Sequence, residues 1–441
     1  MCPRFKIVFF VLAFGWAAPL YPNALDDYIN ALREVAHPVE GESDLKPLLE
    51  RIGERKLILL GEASHGTSEF YAWRSKISRR LIEENGISFV AVEGDWAALQ
   101  DLNRWVTQPV APEQDRRVSE ILEDFDRWPS WLWANREIVE FAQWLRAYNK
   151  ERPEDQRVGF FGIDVYGWEK SLDALLAKLE SVDEDLHSEL SSLYREFSRY
   201  RGDNARYARA AFAFATSAPE EVPRALKRLR ENRDILVDAL GEESYFFAEQ
   251  HALVIQNAEA HIRKMPESGA ASWNTRAAHF KKTVARLLEF RGAEARGIVW
   301  AHNTHVGDAR GTPMPAQGQT NIGRLARDRW GDEVFILGFS TYQGGVVAGS
   351  AWESPRETMT VPPAQPKSLD YALHNTGHPQ ALFFLNDLPA DHVLAQTVGQ
   401  RAIGVVYNPA QEAGNYVPTR TPLRYDALLF ISETHPLTPL H

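Results

Sequence analysis

Two short apolar runs, at residues 57–61 and 89–93, flank a segment at 69–84 in which apolar residues recur at helical spacing before stopping at Asn85-Gly86. Strand, helix, strand over that distance is a βαβ unit, which requires parallel pairing and a right-handed crossover covering one face of the sheet. Runs of the same kind, rich in β-branched or aromatic residues, recur at 158–164, 297–302, 334–340 and 402–407. They read as further buried strands.

From Ser171 to Phe290 the character changes. Leu, Ala, Glu and Arg dominate, and Leu172, Leu175, Leu176 and Leu179 fall at helical spacing. The expected architecture is therefore α/β: a central, mostly parallel sheet flanked by helices, with a large helical insertion or cap. The core is expected at 26–170 and 293–441, and the insertion at 171–292. Pro219, Pro223 and Pro266 are expected to break the insertion into separate helices. Proline and glycine mark loops at 311–319 and 362–366.

The 441 residues are 44% hydrophobic and 25% charged, the balance of a folded chain with a sizeable core. A formal net charge of -11 repels phosphate backbones, which excludes nucleic acid as a partner. Arg4 and Lys6 precede an apolar stretch from Ile7 to Leu20, followed by the small residue Ala24. This predicts an export signal over 1–25, a secreted or periplasmic mature chain, and no stable membrane span within it. An uncleaved anchor or a mis-set start is the alternative, the latter with a cytoplasmic protein. The single cysteine, Cys2, lies in that segment, so the mature chain holds no disulfide, cysteine nucleophile or zinc-thiolate site.

In open α/β sheets ligands gather beyond the carboxyl ends of the strands. The first strand runs into Gly61-Glu62-Ala63-Ser64-His65-Gly66, the second ends at Glu93, the third at Asp164, and the fourth delivers His302 and His305. One such residue is ordinarily a satisfied polar group. Six proton-transfer groups at four strand ends are not required by folding, because buried charge is costly. Gly61 and Gly66 permit a tight turn and a close ligand approach. The helix entering at Thr67-Ser68-Glu69 would aim amide donors at a developing oxyanion. Arg74 stands where it can reach back to a carboxylate.

Three mechanisms fit these residues. Ser64 as nucleophile sits in Gly-x-x-Ser-x-Gly, one place out of register with the usual elbow. A metal hydrolase could draw ligands from Glu62, His65, Glu93, His302 and His305, although Glu-x-x-His and His-x-x-His are weak metal signals. Water activated by an imidazole that carboxylates orient is the most economical, with His65 the leading base. Trp128, Trp131 and Trp133 could wall a cleft for a large apolar ring, with core packing or an interdomain contact as the plainer role. Tyr342 and Tyr407 follow late strands and, with Asp164, complete the candidate substrate contacts.

The segments Gly61-Glu62-Ala63-Ser64-His65-Gly66 with Glu69-Phe70, Phe89-Val90-Ala91-Val92-Glu93, and Trp300-Ala301-His302-Asn303-Thr304-His305 closely resemble the erythromycin esterase family. The resemblance runs from about Leu45 to Ser432. It implies an esterase that opens macrolactone rings by metal-independent attack of water, with no cofactor and a possible role in macrolide resistance. His65 then matches the general base, while Glu62, Arg74, Glu93, His302 and His305 fall where the other active-site residues lie. The expected partner is a small-molecule ester or lactone, and oligomeric state is not legible. Two other readings stand beside it: a metal-dependent hydrolase of another ester or amide, and a non-catalytic protein that binds macrocycles or envelope components.

Overall fold

The computed structural model describes residues 22–108, 116–389 and 391–441. The expected export segment lies outside the described residues except for its end, which opens the helix Pro22–Glu34. Among the described residues no helix is long and apolar enough to cross a membrane.

Eleven strands are present among the described residues: β1 Ala36–Pro38, β2 Leu57–Leu60, β3 Phe89–Asp95, β4 Gly159–Asp164, β5 Gly297–Trp300, β6 Val334–Gly349, β7 Arg356–Val361, β8 Gln380–Phe384, β9 Val398–Arg401, β10 Tyr416–Thr419 and β11 Ala427–Thr434. Nine form one sheet in the order β1-β8-β11-β6-β2-β5-β3-β4, with β7 pairing β6, and β9 and β10 form a separate ribbon. The centre is parallel: β11 with β6, β6 with β2, β2 with β5 and β5 with β3. Antiparallel pairs lie at the β8 and β7 margins. All four residues of β2 and of β5 are buried, as parallel strands covered on both faces require.

One strand expected from sequence is corrected. Residues 402–407 do not form a strand; they make isolated bridges, Ser64 to Ile403 and Gly349 to Val406. The sheet is instead extended by β8 and β11, apolar runs not read as strands from the sequence. The helix after β2 runs Ser68–Asn85 and ends at Gly86, which adopts a left-handed φ of 65°.

The chain divides into two compact units: a sheet unit comprising residues up to Glu93, Asp101–Phe161 and Arg291–His441, and a helical unit of Gly94–Gln100 with Gly162–Phe290. The helical unit has its own core, built from residues such as Trp168, Leu175, Leu190, Phe197, Leu226 and Leu253. Pro219 lies in the first turn of the Ala218–Glu231 helix, and Pro266 separates the Glu242–Arg263 and Gly269–Phe290 helices. Pro223 breaks nothing, since it lies inside the Ala218–Glu231 helix, where it removes one backbone donor.

Candidate active site

Because β2, β3 and β5 run parallel, their carboxyl ends fall on one edge of the sheet unit. The loop after β2 carries Glu62 and His65, β3 carries Glu93 near its end, and β5 leads through Ala301 into a short helix, Asn303–Val306, capped by His302. The chain returns to β5 only after β3 and β4, so β5 is inserted between β2 and β3. That insertion sets the two histidine-bearing turns side by side, with the His65 and His302 ring centroids 4.9 Å apart.

His65 Nδ1 donates to Glu62 Oε1 at 2.8 Å. The other oxygen of the same carboxylate, Oε2, lies 2.7 Å from Arg74 Nη2, a side chain with no exposed surface. The Arg74 guanidinium is stacked over Tyr71, 4.3 Å from the ring centroid, and lies 5.1 Å from that of Trp300. A buried guanidinium and carboxylate are tolerable only as a pair. Glu62 therefore remains an ionised acceptor behind His65, and a carboxylate at Nδ1 puts the lone pair of the neutral ring on Nε2.

Glu93 joins the second turn. Its Oε2 accepts from the His302 amide at 3.0 Å, and its Oε1 lies 3.1 Å from His305 Nε2. The His302 ring is buried, with Nδ1 2.7 Å from Thr304 Oγ1 and accepting from the Thr304 amide at 3.2 Å. Burial pushes the His302 imidazolium well below the ordinary histidine range; His65 and His305 act in the same direction, against the opposing Glu93 charge and Ala63 backbone. His302 is thus neutral at physiological pH.

The loops are held by the protein itself. A Cβ on Gly61 would meet Asn303 Oδ1 at 2.1 Å, and one on Gly66 would meet the Val347 carbonyl oxygen at 1.9 Å. Both glycines are required by protein packing at these points. Asn303 is fixed in turn, donating to the Phe339 carbonyl at 2.7 Å and accepting from its amide at 3.2 Å. The Ser68 amide, expected to face the site, donates to the His435 carbonyl at 2.9 Å. The Ser64 and Thr67 hydroxyls are bonded to each other.

Of the residues singled out in sequence, Glu62, His65, Arg74, Glu93, His302 and His305 are brought together. Asp164 lies in the helical unit, paired to Arg276 with Nε to Oδ1 at 2.9 Å. Trp131 is buried and Trp128 half-buried against it, ring centroids 5.5 Å apart, while Trp352 packs on Trp128 at 4.6 Å. Tyr342 stacks on His374, and Tyr407 is buried with its hydroxyl on Glu412. Trp133, grouped in sequence with the candidate cleft tryptophans, donates its indole N–H to the Glu93 carbonyl at 3.2 Å, while sequence reasoning gave no role to two supporting residues: Tyr71, whose hydroxyl donates to the His65 carbonyl at 3.2 Å, and Thr304. Only Thr304 carried a signal, its place between two histidines.

Erythromycin esterase type II of Escherichia coli is 23% identical over 384 residues, covering 80% of this chain and 86% of the relative. Among solved structures, a Bacillus cereus protein superposes with a TM-score of 0.78 at 18% identity, covering 95% of this chain and 99% of the other. An erythromycin esterase, EreC, solved as a mutant in its open conformation, gives a TM-score of 0.64 at 14% identity, covering 96% and 98%. These likenesses show the fold. The erythromycin esterase family model matches residues 82–434, a span that holds Glu93, His302 and His305 and begins beyond Glu62, His65 and Arg74. On that match the chain belongs to the erythromycin esterase family of hydrolases.

Proposed function

We propose that this chain hydrolyses a carboxylic ester, with a macrolactone as the leading substrate, by water activated at His65. The observation that carries the reading is the Arg74, Glu62, His65 series, in which an ion-paired carboxylate 2.8 Å from Nδ1 supports the ring as a base at Nε2. Nε2 takes a proton from water as the oxygen attacks the acyl carbon. The carbonyl electron pair moves onto oxygen, where the neighbouring His302 ring stabilises it. Collapse of the tetrahedral species breaks the acyl–oxygen bond, and the His65 proton passes to the leaving alkoxide. Arg74 acts through Glu62, since it is buried under Tyr71 and Trp300 and engaged by that carboxylate.

Charge favours an acyl over a phosphoryl substrate. Glu62 and Glu93 face one guanidinium, and His302 is neutral. Such a site repels an anionic phosphoester and accepts an ester that is uncharged until the transition state. The relative named erythromycin esterase points to a macrolide, whose opening would protect a cell that exports or retains the enzyme.

Incubating the pure protein with a panel of macrolactones and p-nitrophenyl esters, followed by mass spectrometry, tests the proposal. Gain of the mass of one water is expected; retention of an unchanged macrocycle would establish a binding protein instead. Exhaustive chelation should leave the rate unchanged. Loss of activity restored by zinc or manganese would replace imidazole activation with a metal-bound water.

A further inference from the structure

We infer that Thr304 is a positioning residue that fixes His302 as the Nε2-protonated tautomer, making that ring a hydrogen-bond donor and leaving His65 as the base. The argument starts from polarity. A backbone N–H can only donate, and the Thr304 amide lies 3.2 Å from His302 Nδ1 in donating geometry. Nδ1 must therefore present its lone pair, and the single proton of a neutral imidazole is left for Nε2. The Thr304 hydroxyl, 2.7 Å from the same nitrogen, then donates as well. Were Nδ1 protonated, two N–H groups would confront each other.

The consequence at the other side of the ring is specific. His302 Nε2 is buried, and among the described residues no hydrogen bond of normal geometry reaches it, although the Ala63 backbone lies near the ring. A buried N–H left so poorly satisfied is destabilising, a deficit relieved when an oxygen arrives. His65 is wired the opposite way, with a carboxylate at Nδ1 and its lone pair on Nε2. Two imidazoles whose centroids stand 4.9 Å apart thus carry complementary edges, one accepting a proton and one donating to oxygen. The sorting is done by what sits at Nδ1: Glu62 in one case, Thr304 in the other. Asn303 holds the turn between them by its paired bonds to Phe339, so the Thr304 amide is set by backbone that cannot easily rotate.

The kinetic consequence rests on the ester-hydrolase reading, but the tautomer does not, and the two can be measured apart. Protein labelled with 15N only at histidine rings reports which nitrogen of each ring is protonated, and the His302 signals are identified by their loss in His302→Gln. The expected result is a His302 with bare Nδ1 and protonated Nε2 at pH 7. Thr304→Val, which keeps the amide donor and loses the hydroxyl, should move the His302 Nδ1 signal toward that of a more weakly hydrogen-bonded nitrogen, with Nε2 still protonated, and lower kcat on p-nitrophenyl acetate about tenfold, with KM little changed. Thr304→Ser should restore both. A purely structural role for Thr304 would leave the ring signals unmoved. A wild-type His302 protonated at Nδ1, or a Thr304→Val protein with wild-type ring signals and rate, would overturn the inference. Absence of turnover in the wild type would count against the hydrolase reading alone.

Discussion

The two units each bury histidines, a guanidinium and a carboxylate, yet they wire them differently. In the helical unit, His261 Nδ1 contacts the Ser272 carbonyl at 3.0 Å and hydroxyl at 2.9 Å, and His279 lies between Asn257 at 2.9 Å and Thr283 at 3.4 Å. All of these partners are neutral. Burial pushes both imidazoles down to about 4, with the Arg276 charge lowering His261 further and the Asp164 charge opposing in both cases. The carboxylate there, Asp164, is engaged by Arg276. In the sheet unit the carboxylate stands between guanidinium and imidazole, so Glu62 faces Arg74 with one oxygen and His65 with the other. Burial alone disfavours the charged imidazole; an ion-paired carboxylate behind the ring favours proton uptake, as the proposed role of His65 requires.

The sharpest break of that contrast is a pair of substitutions. His65→Asn should lower kcat/KM by about 10³-fold or more while circular dichroism and Tm stay near wild type. His279→Ala should do the reverse, lowering Tm while the folded protein keeps its turnover, because it deletes a buried ring whose partners are all neutral side chains. If both variants lost only stability, the distinction between the units would fail. Next in size is Arg74→Met, which strands Glu62 as a buried charge and should cost about 3–5 kcal/mol of unfolding free energy by urea titration. Adding Glu62→Gln should recover much of that stability without restoring hydrolysis. A double variant no more stable than the single one would show that Arg74 acts by packing on Tyr71 and Trp300.

Acid should separate the units by stability. A histidine whose folded pKa lies below the ordinary 6.5 holds fewer protons when folded than when unfolded, so its contribution is fully present above pH 6.5. It is lost as pH falls from 6.5 towards the folded value of about 4. At pH 5 His261 and His279 should each have lost roughly 2 kcal/mol, and His302 in the sheet unit adds to the same trend. Hydrogen exchange followed by mass spectrometry at pH 7.5 and 5.0 should show protection falling across the Glu242–Arg263 and Gly269–Phe290 helices. His279→Ala should flatten that pH dependence. Protection in these helices that did not change with pH would mean that their histidines are charged in the fold.

The site was readable from sequence where chemistry and topology coincide. Glu62, His65 and Glu93 lie at the ends of apolar strands whose parallel direction the βαβ unit already implied, whereas His302 joins them through the insertion of β5 between β2 and β3. What was hidden depends on distant partners. Residues 402–407 look like a strand, but their backbone meets Ala63 and Gly349 at single points, a fact set by the path of two other segments. β8 and β11 have no local feature that separates them from other buried apolar runs. Gly61 and Gly66 are legible as unusual, yet only the positions of Asn303 and Val347 reveal why a Cβ is forbidden. Asp164 lies near a strand end as Glu93 does, and only Arg276, far along the chain, shows that it is engaged elsewhere.

The smallest effect tests how far the wiring behind His65 extends. Tyr71 contributes a ring beneath Arg74 and a hydroxyl to the His65 carbonyl, so it touches both ends of the series without meeting the reacting atoms. Its phenol is held well above the ordinary range, by burial first and by the Glu62 charge second, so it donates throughout the working pH range. Tyr71→Phe keeps the ring and removes the donor. The loss should be about 1 kcal/mol in stability and a few-fold in kcat, with the pH profile unchanged because Glu62 still supports Nδ1. Tyr71→Leu also removes the surface on which the guanidinium rests and should approach Arg74→Met in its effect. If Tyr71→Phe matched Tyr71→Leu, the hydroxyl rather than the ring would be what aligns His65, and the loop backbone rather than the ion pair would set the position of the base.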